Sequence, residues 1–165
     1  ADGRGAARGW GGLMGVMRRA PLLLGQEFAA RLDPAIPRGV IVNLLDQKLL
    51  NMNPDFASYT LSKAGLAAAT TLLAQALAPR IRVVGVAPGL TLPSGGQSES
   101  EFERAHTLNP MGGGSTPDDI VRTLRFILAT PSMTGETIII DGGQHLDARN
   151  GDVMYAAGPI EDQRQ

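Results

Sequence analysis

The sequence predicts an α/β fold built on a parallel sheet. Helical and strand-like segments alternate along the chain, helix, strand, helix, strand, helix, strand, which is the pattern of strands joined by right-handed helical crossovers. The strand-like segments are short, nearly continuous aliphatic runs at Val40–Leu45, Ile81–Ala87 and Thr137–Ile140, as suits strands covered on both faces. Composition agrees: 21 glycines and 11 prolines against one tryptophan, two tyrosines and four phenylalanines favour tight connections between aliphatic elements over an aromatic-rich sandwich.

Residues 1–16 hold six glycines and two arginines without helical or strand periodicity and are expected to form a flexible arm. Gly3-Arg4-Gly5-Ala6-Ala7-Arg8-Gly9 has the look of a phosphate-cradling loop, but no apolar strand precedes it, so low complexity is the better account. Pro21 suits a helix first turn, and Leu22, Leu23, Leu24, Phe28, Ala29 and Leu32 are spaced to make one broad apolar face. The breaker Asp33-Pro34-Ala35-Ile36-Pro37-Arg38-Gly39 ends that helix, and the strand after it stops at Asp46. A long helix rich in alanine and leucine is expected from Asp55 to Leu77, stopped by Pro79. The second strand closes with Pro88-Gly89. Thr116, Pro117, Asp118 and Asp119 then form the N-terminus of a third helix, whose apolar stripe is Ile120, Leu124, Ile127 and Leu128. The last strand ends at Asp141-Gly142-Gly143. Between Leu92 and Ser115 lies a polar, glycine-rich stretch expected to act as a substrate lid, with Met111 and Leu108 as candidates to cover a flat ring.

The 165 residues are expected to form one principal domain, with the arm at 1–16, a domain at 17–148 and a polar tail at 149–165. With 15 basic and 16 acidic residues and a net charge of −1, there is no electrostatic case for a nucleic-acid or membrane partner, and a small-molecule substrate fits better. The chain has no cysteine, so thiolate catalysis and cysteine-based metal sites are excluded. No apolar run is long enough to span a bilayer and no charged-then-apolar leader opens the chain, so a cytoplasmic location is the expectation. Ser115 lacks the strand, elbow and helix context of a hydrolase nucleophile, and His145 is expected to be structural.

Ligands bind at the carboxyl ends of the strands in such sheets, and Asp46, Pro88-Gly89 and Asp141-Gly142-Gly143 all fall there. Tyr59 and Lys63 are four apart on the helix that follows Asp46, so they share a face. The ammonium is expected to favour the ionised phenol and make Tyr59 an acid or base usable near neutral pH.

Taken together, Tyr59-x-x-x-Lys63 after a buried strand, Pro88-Gly89 after the next, and Thr134-Gly135 leading into Ile138-Ile139-Ile140-Asp141-Gly142-Gly143 resemble the C-terminal part of a short-chain dehydrogenase/reductase from Ala20 to Leu146. That resemblance implies a Rossmann-like parallel sheet, here an incomplete three-layer fold lacking its N-terminal strands, and hydride transfer from a nicotinamide cofactor. It implies Tyr59 as proton donor and Lys63 as pKa tuner and ribose ligand. Pro88, Gly89, Leu90 and Thr91 would lie along the nicotinamide and pyrophosphate. NADP is the expected cofactor, with NAD left open because the segment that would contact the adenosine end is not present.

The departures from the family pattern are informative. Asp46 stands where the family has a serine, thirteen residues before the tyrosine, and a carboxylate there would repel a developing alkoxide, whereas its protonated form could donate to a ring nitrogen. This favours an imine substrate and resembles the pteridine reductase and dihydromonapterin reductase branch. Met17 stands where the family has its catalytic asparagine, and the glycine-rich strand-turn-helix for the pyrophosphate is missing, so weak cofactor binding is expected. The resemblance thus implies a reductase of a pterin-like C=N bond. The alternatives are a carbonyl reductase, or an inactive truncated reductase that acts only as a dimerising module. A homo-oligomer is expected through the helix carrying the small-residue run Ala64-Gly65-Leu66-Ala67-Ala68-Ala69.

Overall fold

Apolar runs and the breakers between them put most elements close to their expected places. The computed structural model describes residues 12, 15–94 and 96–156, without the side chains at 17 and 18. Most of the arm expected at 1–16, the Met17 side chain and the tail beyond 156 lie outside the described residues. A π-helical turn, Gly15–Arg19, runs into α1 (Ala20–Arg31), which has Pro21 in its first turn. Next come β1 (Gly39–Leu44), a 3-10 turn (Gln47–Leu49), α2 (Ala57–Leu77) and β2 (Ile81–Pro88). The chain continues through α3 (Glu99–Thr107), α4 (Pro117–Ala129), β3 (Thr137–Ile140), a second 3-10 turn (Gln144–Leu146) and α5 (Val153–Ala156).

The strands form a parallel sheet in the order β1-β2-β3. Gly39 to Leu44 pair with Ile81 to Val86, and Gly85 to Pro88 pair with Thr137 to Ile140. Because β2 is central and flanked by helices on both faces, Val83, Val84 and Val86 are all fully buried, which explains its unbroken aliphatic sequence. On one face Val83, Ile81 and Ile41 pack against Leu73, Ala74 and Leu77 of α2 and Leu22 and Ala29 of α1. On the other, Val84 and Val86 pack on Ile127 of α4 with Val40, Val42 and Ile138. The result is a partial Rossmann-like three-layer fold. Among the described residues β1 has no neighbour on its outer edge, and Leu44 there is 49% exposed.

Several local expectations need correction. Only Leu22, Ala29 and Leu32 of the α1 stripe face the core, while Leu23, Leu24 and Phe28 remain exposed, the last two beside the free edge of β1. Phe28 nevertheless closes over Gly39, where a Cβ would come within 2.9 Å of its ring. On α4, Ile127 is buried but Leu128 faces out. Phe56 adopts a left-handed conformation (φ 53°), so α2 begins at Ala57 rather than Asp55. The stretch from Leu92 to Ser115 holds a helix of its own in place of the expected loop: Ser98 and Glu101 form a capping box that starts α3, as Thr116 and Asp119 do for α4. No described helix is long and apolar enough to cross a membrane.

Ile127 is wedged against the central strand and has no exposed surface. Ile127→Ala is therefore expected to lower unfolding stability by about 2–5 kcal/mol, read as a fall in denaturation midpoint with an unchanged denaturant slope.

Candidate active site

Strand β1 is extended past its last ladder pair by Leu45, whose amide donates to the Val86 carbonyl at 2.7 Å, and the chain then turns at Asp46. One carboxylate oxygen of Asp46, Oδ1, accepts from the Lys48 amide at 2.8 Å and starts the 3-10 turn. The other, Oδ2, accepts from the Tyr59 hydroxyl at 2.6 Å. Asp46 is thus both a turn cap and the partner of the phenol. One turn along α2, the Lys63 ammonium donates to the Leu44 carbonyl at 2.7 Å and lies 5.7 Å from the centroid of the Tyr59 ring. Tyr59, Lys63 and Asp46 converge at the tip of β1 because the i, i+4 spacing stacks the two α2 residues over the strand end.

The electrostatics run opposite to the expectation for the pair alone. The Tyr59 phenol is pushed well above the usual phenol range, first by burial, then by the Asp46 charge, its hydrogen bond to Asp46 and the charge of Asp152. Burial lowers the Lys63 ammonium, with Asp46 opposing. At neutral pH the phenol is therefore a fully protonated donor.

At the next strand tip, the Gly89 amide donates to the Ile140 carbonyl at 3.1 Å, and the Leu90 amide donates to Gln144 Oε1 at 3.0 Å. A Cβ on Gly89 would stand 3.0 Å from the Asp141 Cα and 2.7 Å from Gln144 Oε1, so only glycine fits without displacing that turn. The Thr91 hydroxyl donates to the Gly89 carbonyl at 2.9 Å; having one hydrogen, it accepts from Ser115 Oγ at 2.8 Å. Asp141 does not reach the cleft: its buried carboxylate accepts from the Gly143 and His145 amides and bonds the His145 ring, giving His145 a structural role.

A cavity of about 460 Å³ opens at these tips. Asp46, Tyr59, Gly89, Leu90 and Thr91 line it, whereas Pro88 does not. Lys63 lines a second groove along the free edge of β1, with Leu24, Phe28, Ile41 and Leu44. The two catalytic candidates on α2 therefore sit between the cavity and the groove. Met111 is 79% exposed and lines neither, and Leu108 packs beside Ala105 and Val153. The rest of the cavity wall escapes sequence reasoning: Lys48, Asn51, Gln144 and Asp147, together with Arg149 and Asp152–Met154 from the segment read as a polar tail. Among the described residues no group of three or more His, Cys, Asp or Glu side chains could hold a metal ion.

The protein-family model described as enoyl-(acyl carrier protein) reductase matches residues 6–145. Carbonyl reductase family member 4 of Danio rerio is 37% identical over 109 residues, covering 66% of this chain and 46% of that protein. The 3-oxoacyl-[acyl-carrier-protein] reductase FabG of Thermotoga maritima is 36% identical over 110 residues, covering 64% and 45%. Among solved structures, FolM alternative dihydrofolate reductase 1 from Brucella suis in complex with NADP is 41% identical with a TM-score of 0.81, covering 85% of this chain and 56% of that one. The chain spans about half the length of the curated relatives it matches.

The raised Tyr59 pKa makes a prediction about stability. Above pH 10.0, the ordinary phenol value, the folded state holds a proton that the unfolded chain releases, so this contribution is complete below that pH and is lost as pH rises further. Tyr59→Phe should cost about 1.5–3 kcal/mol at neutral pH, the worth of a hydrogen bond to a charged group, and the two denaturation midpoints should converge above pH ~10. A gap that stays constant through that range contradicts the raised phenol.

Proposed function

The chain belongs to the short-chain dehydrogenase/reductase family, and from that premise we propose that it reduces a pterin-like C=N bond with NADPH. The observation that carries this reading is the 2.6 Å hydrogen bond from the Tyr59 hydroxyl to Asp46 at the cavity. A carboxylate beside the proton donor disfavours a developing alkoxide and suits a nitrogen heterocycle, whose ring N–H and amino groups a carboxylate can accept. The likeness to the FolM alternative dihydrofolate reductase supports the same substrate class.

The residues present fit the nicotinamide end of such a cofactor. Lys63 is 8% exposed, and among the described residues only the Leu44 carbonyl takes one of its three donors, which leaves buried N–H groups suited to ribose hydroxyls. The Thr91 hydroxyl and the close-packed Gly89 backbone lie at the neighbouring strand tip. The cavity volume is within the ~300–1,000 Å³ range of small-molecule sites. When bound, the cofactor supplies a hydride to the ring carbon. Tyr59 Oη turns its single O–H from Asp46 Oδ2 to the adjacent ring nitrogen and delivers the proton there, so the C=N π bond and the phenol O–H bond are replaced by one C–H and one N–H bond. Asp46 orients the phenol, and the nearby Lys63 ammonium offsets the negative charge left on Tyr59 until solvent returns the proton.

Carbonyl reduction is the second reading, favoured by the names of the Danio rerio and Thermotoga maritima relatives. Self-association is part of the proposal as well: Leu61 and Leu72 of α2 are 54% and 65% exposed, and the small residues Gly65 and Ala68 lie between them.

Dihydropterin-dependent oxidation of NADPH tests the reading. Tyr59→Phe should lower kcat on the order of 10²–10⁴-fold, the usual range for a lost general acid. Asp46→Ser should lose imine reduction while retaining or improving ketone reduction; the opposite preference supports the carbonyl reading. A parent chain that neither binds NADPH nor turns over is an inactive module.

A further inference from the structure

Lys48 belongs to none of the motifs above, yet it is 4% exposed. Its ammonium is held by Asp152 Oδ2 at 2.5 Å and Asn53 Oδ1 at 2.7 Å and lies 5.4 Å from the centroid of the Phe56 ring. An ammonium withdrawn from water this far must keep its acceptors, because losing either leaves a buried charge short of a partner. One acceptor is on the loop after β1 and the other is 104 residues away in the C-terminal segment.

We propose that Lys48 is a positioning residue: it latches residues 152–155 onto the loop 46–56 and thereby fixes the wall that shapes the substrate cavity. Two further contacts close the same seam. The Asp152 amide donates to Asp55 Oδ2 at 2.8 Å, and Tyr155 stacks on Phe56 with centroids 5.7 Å apart and planes inclined by 13°. Beyond the latch, Val153 is buried against Ala105 of α3 with Leu90 and Leu108 packed around it, so the held segment bridges the loop, the tip of β2 and α3. Asp152, Val153 and Met154 all line the cavity. Lys48 also acts at its other end, because its amide holds Asp46 Oδ1 while Asp46 Oδ2 holds Tyr59. One residue thus sets the Asp46–Tyr59 pair with its backbone and the facing wall with its side chain.

The effect on turnover rests on the reductase reading; the latch itself rests on geometry. Amide hydrogen exchange of residues 152–156 separates the two, measured in the parent chain, Lys48→Met, Asp152→Asn, the double variant and Lys48→Arg. Exchange there should rise about tenfold or more in Lys48→Met and Asp152→Asn and no further in the double variant, while Lys48→Arg stays near the parent and β2 amides stay protected. Unchanged exchange at 152–156 in Lys48→Met overturns the latch, as does an equal rise throughout β2, which marks general destabilisation. Where the parent reduces dihydropterin, Lys48→Met should raise KM about tenfold with kcat within about threefold, unlike the kcat loss of Tyr59→Phe; an unchanged KM overturns the role in shaping the site. A parent without turnover removes the reductase reading, and the exchange result alone then decides the latch.

Discussion

The Asp46 carboxylate fixes three parts of the molecule at once. It ends the first strand, starts the turn after it through the Lys48 amide, and binds the phenol of the long helix through Tyr59. Each oxygen has its own donor, so the carboxylate cannot rotate without losing one. The orientation of Tyr59 relative to the strand tip follows from this, and burial first, then the charge and hydrogen bond of Asp46, hold the phenol in its protonated form.

The sheet around this point is asymmetric. β2 is packed on both faces and paired on both edges, while β1 is paired on one edge and borders a groove lined by Leu24, Phe28, Leu44 and Lys63. Tyr59 therefore lines the cavity at the strand tips, while Lys63, one turn on, lines the groove along β1. The chain spans about half the length of its curated relatives, and the groove lies on the free edge of β1, where a parallel sheet would add its next strand.

Much of this was legible in the sequence because the signals are local. The three strands announce themselves as aliphatic runs, α4 through Thr116-Pro117-Asp118-Asp119, and Tyr59 with Lys63 through helical spacing after a strand end. α3 had a signal too, in Ser98 and Glu101 three apart, but the glycines and serines around it suggested a loop. Leu24, Phe28 and Leu128 have the composition of core residues and face outward, because periodicity gives a face and not what covers it. The direction of the Tyr59 shift was also hidden: the four-residue spacing shows the lysine, whereas burial and the Asp46 bond are products of tertiary packing. The pairing of Lys48 with Asp152 has no local signature, since 104 residues separate the partners.

A pH titration of the Tyr59 Cζ resonance in tyrosine-labelled chain, compared between the parent and Asp46→Asn, reads the coupling of the phenol to Asp46 directly. Tyr59 should remain a phenol to higher pH in the parent, and its midpoint should fall when the Asp46 charge is removed. Identical midpoints in the two chains would contradict that coupling.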